Sequence, residues 1–282
     1  MEHNLIRIMP PALLAAGALL AGPGAIAAEG ESAPQRSWTN TAEVGFVQTS
    51  GNSETTNIKL SDKFVRSWDG WQLELNALAL RAEQTTRSAA NVAGALVVTE
   101  TSATTAETYQ LAGLLRRDIR DGFYWLTGLE WTRNRPSGLD NRYQAQAGLG
   151  YRFFRTDVHE LQTELGVTYT DESFVSGTDP MDQNYAGARA FAGYSRKLSP
   201  TATFTQTLEL LENLDDTADW RGKSETAVTA SITSQVALKA SFTLLYDNRP
   251  VVQVLSAPGF NDVRFEFDST DTILAASLVV NF

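Results

Sequence analysis

The chain has 282 residues and a formal charge of −10. Hydrophobic residues make up 43% of it, yet its mean hydropathy is slightly negative. That combination excludes a bundle of membrane helices, and the apolar content excludes intrinsic disorder. Cysteine is absent, which removes disulfides and thiolate metal sites. The acidic balance argues against a nucleic-acid partner, because phosphate recognition needs a basic surface.

The N-terminus reads as a secretory signal peptide. Arg7 supplies a weakly basic start, Ala12 to Ala21 an apolar run, and Ala25-Ile26-Ala27 a small-x-small cleavage site. The run is too short to cross a bilayer as a helix. Cleavage after Ala27 divides the chain into a signal, 1–27, and one mature domain, 28–282.

Beyond the signal the recurring pattern has period two. In Tyr143 to Tyr151 one face carries Tyr143, Ala145, Ala147, Leu149 and Tyr151, the other Gln144, Gln146, Gly148 and Gly150. Leu161 to Tyr169 repeats the design. Segments of similar length fit near 38–49, 54–67, 71–83, 105–116, 123–133, 183–196, 201–212, 223–234, 236–247 and 270–282, giving twelve strands. Segments of about ten residues with this alternation are the signature of transmembrane barrel strands. Closure is required in lipid, where an open edge leaves backbone groups unpaired. The expected fold is therefore all-β, a closed antiparallel transmembrane barrel with both termini periplasmic. Connections after even strands are short, as at Trp68-Asp69-Gly70; most others are longer, as at 84–104 and 248–269. Residues 86–104, with the apolar run Val92 to Val98, are expected to extend the third and fourth strands as a hairpin above the membrane. A lumen plug and two extra strands are the alternatives.

Aromatic residues gather at predicted strand ends. Trp68, Trp71, Phe123, Tyr124, Trp125, Tyr151, Phe153, Phe154, Tyr194 and Phe282 fall at the periplasmic end; Tyr109, Trp131, Tyr143, Tyr169, Tyr185 and Tyr246 fall at the other. Two such girdles suit the two membrane interfaces.

Several stretches, in order, resemble a bacterial family labelled salt-induced outer membrane proteins, which share a domain of unknown function (domain of unknown function 481). They are Gly45 to Thr55, Tyr109-Gln110-Leu111, Asp121 to Trp131, Gly150-Tyr151-Arg152, Ser224-Glu225-Thr226, Tyr246-Asp247-Asn248 and Leu278 to Phe282. The resemblance implies an outer-membrane barrel with a structural or stress-related role in the envelope. It brings no catalytic residues. The terminal Phe282 resembles the signal that outer-membrane assembly machinery recognises.

No enzymatic activity and no cofactor are expected. A lipid-modifying enzyme would need a Ser–His pair, and the one mature histidine, His159, reads as a solvated turn residue. By parity Glu43, Glu74, Glu130, Glu164, Glu209 and Glu225 point into the lumen, as do Lys59, Lys63, Arg142, Arg152, Arg189 and Lys239. Six acids facing six bases form either ion pairs that stiffen the wall or charge rings lining a narrow channel for small solutes. Asp62 falls on the lipid face. Segments 171–182, 212–223 and 247–271 hold −9 of the −10. They read as solvated extracellular loops that could bridge lipopolysaccharide phosphates through weakly held Ca²⁺ or Mg²⁺.

Overall fold

In the computed structural model, residues 37–49, 54–92, 95–176, 178–179, 182–255, 263–266 and 269–282 are described; the expected signal, 1–27, lies outside them. Twelve strands close into one antiparallel barrel. They are β1 (Trp38–Thr49), β2 (Glu54–Trp68), β3 (Trp71–Val92), β4 (Ala95–Arg120), β5 (Phe123–Asn134), β6 (Leu139–Arg155) and β7 (His159–Phe174), then β9 (Asp182–Lys197), β10 (Ala202–Asn213), β11 (Trp220–Ser231), β12 (Val236–Asp247) and β15 (Thr270–Asn281). Each pairs with its chain neighbour, and β1 closes the ring on β15. Three short strands, β8 (Thr178–Asp179), β13 (Val252–Leu255) and β14 (Val263–Glu266), form a small separate sheet among the loops.

Followed once around the ring, the pairings are staggered by about 16 residues, which tilts the strands by roughly 40–45° and sets a backbone radius of about 12–13 Å. One end carries Ser37, Phe282 and tight turns. Asp69-Gly70 and Asp121-Gly122 are two-residue hairpins whose residues all have positive φ, as the right-handed twist of the strands requires. The other end carries the longer connections.

Alternation sorts the side chains. Leu129, Leu165 and Leu274 are 69%, 69% and 78% exposed on the outside, while Glu164 between its outward neighbours is 1% exposed on the inside. An apolar band of this extent suits a surface that contacts lipid rather than water. Trp68 and Trp71 stack at the turn end, Phe123, Tyr151 and Phe153 form an aromatic run there, and Trp220 packs on Tyr246 at the loop end.

Two expected girdle residues are not in a girdle. Tyr124 and Tyr185 are 0% and 7% exposed and point into the lumen, because both fall on the inward parity of their strands. The segment 84–104 is not a loop. β3 and β4 remain paired as far as Val92 and Ala95, well past the points where β2 and β5 stop pairing with them. The expected hairpin is thus a continuation of two barrel strands.

Three segments taken for acidic loops are partly strand. Asp171 and Glu172 belong to β7, Asp182 to β9, Glu212 to β10, Asp247 to β12 and Asp271 to β15. Strands outrun the apolar band, and above it the outward residues become polar, so the alternation fades while the backbone pairing continues.

Candidate functional site

The lumen is crossed by a chain of ion pairs near the turn end. Lys63 on β2 lies 2.8 Å from Glu74 on β3, and Glu74 lies 3.0 Å from Nη1 of Arg116 on β4. The Nε of Arg116 donates to Glu164 on β7 at 3.0 Å, passing over β5 and β6. Glu164 also accepts from Arg189 on β9 at 2.9 Å, and Arg189 reaches Glu209 on β10 at 2.5 Å. The hydroxyl of Tyr124 donates to Glu164 at 3.0 Å. Opposite walls are thereby joined through one carboxylate whose side chain is 0% exposed.

The wall beneath that crossing is made of small residues. A methyl group on Gly150 would lie 2.2 Å from the Tyr124 ring, and one on Gly148 or Gly166 would strike the backbone of the neighbouring strand. Glycine at these three inward positions lets β6 and β7 approach closely and leaves room for Tyr124.

A second cluster sits toward the loop end. Glu172 on β7 accepts from Arg142 on β6 at 2.5 Å, from Arg221 on β11 at 2.6 Å, from Tyr185 at 2.9 Å and from Gln183 at 3.0 Å. Arg221 also pairs with Asp219 and Asp247. The cavity beside it, near Thr170 and Asn213, is about 10 Å³, room for about one water.

A third group is wetter. On the β1, β2, β11 and β12 side, Lys239 bridges Glu43 at 2.9 Å and Glu225 at 3.2 Å, and Lys59 lies 3.6 Å from Glu43. These side chains are 13–30% exposed, against 0–8% for Arg116, Glu164 and Arg189.

A family model described as a protein of unknown function, DUF481, matches residues 42–282. The chain belongs to that family. No curated protein matches it. Solved structures that it resembles include the NanC porin (12% identity, 86% of this chain, 97% of that one, TM-score 0.43) and the translocator domain of the autotransporter NalP from Neisseria meningitidis (11%, 89% and 89%, TM-score 0.46). An outer membrane channel from Pseudomonas putida F1 is also similar (12%, 89% and 100%, TM-score 0.45).

In this DUF481 barrel the lumen-facing set expected from parity sorts as follows. Lys63, Glu74, Glu164, Arg189 and Glu209 share the crossing chain; Glu43, Lys59, Glu225 and Lys239 share the wetter group; Arg142 holds Glu172. Arg152 pairs with Asp118 at 2.6 Å and lies over the Tyr124 ring, and Glu130 accepts from Thr132. Phe282 ends β15's apolar row, with its amide bonded to Asn40. Parity overlooked Arg116, Glu172 and Arg221, which hold the two buried crossings. Asp62 does lie outside, where the Asn40 amide donates to it at 2.9 Å.

His159 is not a free turn residue. Its Nδ1 meets the Tyr194 hydroxyl at 2.8 Å and its ring packs edge-on to Phe154. Among the described residues no three His, Asp or Glu side chains gather where one metal ion could bridge them. Three of the acids expected to be solvated are held by arginine: Asp219 and Asp247 by Arg221, and Asp216 by Arg249.

Proposed function

We propose that this protein is a non-enzymatic barrel of the bacterial outer membrane with a structural role in the envelope under salt stress. On this reading the signal peptide directs export, the assembly machinery reads Phe282, and both termini face the periplasm. Outer-membrane lipid meets the apolar band and lipopolysaccharide meets the loop end. The observation that carries a structural role over a transport role is the crossing at Glu164. A fully buried carboxylate held by two arginines joins wall to wall and narrows the lumen at that level. Purified protein in planar bilayers should give no steady conductance, and after cell fractionation it should be found with outer membranes. Regular single-channel steps, or recovery as a soluble periplasmic protein, would overturn this reading. The salt-stress role predicts slower growth of a deletion strain at high osmolarity.

A second reading, a narrow channel, is favoured by one observation. The Glu43–Lys59–Lys239–Glu225 group keeps partial exposure, so what water the lumen holds runs along that wall. Small steps abolished by Lys239→Met would decide for it.

A further inference from the structure

We propose that two copies of this chain meet in the membrane at the outer face of β1 and β2, through a reciprocal contact of Asn40 and Asp62. The proposal rests on the reading of this chain as a membrane barrel. It starts from a charge where lipid is expected. Asp62 is exposed on the outside and stands six residues up β2 from Trp68, about 14 Å above the turn-end aromatics on a strand of this tilt. That is near the middle of an apolar band about 25 Å tall. Its outward neighbours along β2 are Leu60 and Phe64, and Ala42 and Ala77 lie directly across from it on β1 and β3. Hydrocarbon offers a carboxylate there neither water nor a hydrogen-bond donor.

The barrel satisfies this carboxylate only in part. Nδ2 of Asn40 donates to its Oδ2 at 2.9 Å. Among the described residues the carboxylate makes no other hydrogen bond or ion pair, and Lys63, next in the chain, turns inward to Glu74. An amide group carries two N–H donors and a carboxylate two oxygens. The pair therefore keeps one spare N–H, on Asn40, and one spare oxygen, Oδ1 of Asp62. A patch with one spare donor and one spare acceptor side by side is complementary to itself.

Self-complementarity selects a second copy as the occupant. Two barrels inserted in the same sense are related by a two-fold axis along the membrane normal, which keeps every residue at its own depth. The hydrogen bond between Asn40 and Asp62 holds donor and acceptor at one level, as that axis requires. An axis passing between β1 and β2 sets β1 of each barrel against β2 of the other. The spare N–H of each Asn40 then faces the spare oxygen of the partner's Asp62. Four side chains close a ring of hydrogen bonds, and both carboxylates are withdrawn from lipid. Ala42 and Ala77 let the two walls approach, as small residues do where membrane segments pack, with polar side chains as the glue. A different protein would have to bring an N–H donor to that depth, whereas a second copy brings it by symmetry.

The test is cross-linking, which the absence of cysteine makes clean. Arg66→Cys places a thiol on the outside of β2 at the turn end, and Arg196→Cys places one at the same end of β9, across the barrel; both positions are exposed. The full chain, diluted in phosphatidylcholine vesicles, is treated with a short bismaleimide and run on boiled gels. Arg66→Cys should give a band of twice the chain mass, in roughly tenfold larger amount than Arg196→Cys. Adding Asp62→Leu to Arg66→Cys should reduce that band by roughly tenfold while the unboiled protein still shows its mobility shift. Asn40→Leu serves if the Asp62 variant does not fold. Equal bands from the two cysteines, no band from either, or a band that survives the leucine variant would overturn the proposal. So would a product from whole outer membranes whose mass is not twice that of the chain. Failure of the wild type to enter vesicles would overturn the membrane reading instead.

Discussion

Glu164→Gln isolates the charge on which the crossing depends. Glutamine keeps the shape and can still accept from Tyr124, so the change removes little but the negative charge shared by Arg116 and Arg189. Both guanidiniums are 6–8% exposed and cannot turn to water in place. Arg116 keeps Glu74 and Arg189 keeps Glu209, so each retains one partner. Breaking a buried pair by removing one member costs about 3–5 kcal/mol, because the remaining charge is left uncompensated. Against a typical stability of roughly 5–15 kcal/mol that loss is large. The assay is equilibrium urea unfolding of the barrel in phospholipid vesicles, followed by tryptophan fluorescence. The quadruple variant Arg116→Met, Glu164→Leu, Arg189→Met, Glu209→Gln provides the control. It removes the charges together, leaves Glu74 with Lys63, and should recover most of the loss, since apolar replacement of a whole buried network is often neutral. A single variant within about 0.5 kcal/mol of wild type would refute the reasoning. So would a quadruple variant no more stable than the single one.

Three further outcomes are expected. Leu165→Arg, in the middle of the lipid face, should cost about 2–4 kcal/mol in the same assay, while the inward Gln162→Ala should cost far less; equal costs would mean that the assignment of faces is inverted. Gly166 cannot serve as that control, because a methyl group there would lie 2.5 Å from the Ala147 carbonyl. Gly150→Ala should cost about 1–3 kcal/mol by driving its methyl into the Tyr124 ring, and the near-ultraviolet circular dichroism of the tyrosines should change with it. Replacing 88–99 by Asn-Gly, which joins the paired residues Arg87 and Glu100 by a two-residue turn, should leave the gel-mobility shift and any conductance unchanged; a rise in conductance would show that the hairpin restricts the lumen.

The barrel was legible because lipid enforces one rule on every outward position within the band. Leu161, Leu165, Val167 and Tyr169 alternate with Gln162, Glu164, Gly166 and Thr168, and the structure keeps that register against β6 and β9. The same rule explains what was missed. Past Tyr169 the outward residue is Asp171, so Glu172 looked like part of an acidic loop, although Thr168, Thr170 and Glu172 continue the inward row. Arg221 was hidden likewise at the polar start of β11. Arg116 was lost for another reason: it adjoins Arg117 at a strand end, one arginine pointing in to Glu164 and the other out to the Asp69 carbonyl. Alternation from the exposed Leu111 does turn Arg116 inward, and the register shift falls past it, between Asp118 and Arg120.

The division between arginine and lysine gives the lumen its asymmetry. Buried carboxylates are held by arginine: Glu164 by Arg116 and Arg189, and Glu172 by Arg142 and Arg221. Arg116 and Arg189 each span two acids and Arg221 spans three with separate nitrogens, which a planar, weakly hydrated fork can do and an ammonium does less well. The partly exposed acids Glu43 and Glu225 are instead held by Lys59 and Lys239, whose charge keeps its hydration more readily. The glycine positions agree with this division. Gly148, Gly150 and Gly166 line the arginine side, where strands and Tyr124 press inward. A buried, cross-braced half thus faces a half whose charged side chains stay partly exposed. Any solute that passes must follow the lysines, and any mechanical role must depend on the arginines, so the two readings of this protein fall on different residues of one lumen and can be separated by substituting them in turn.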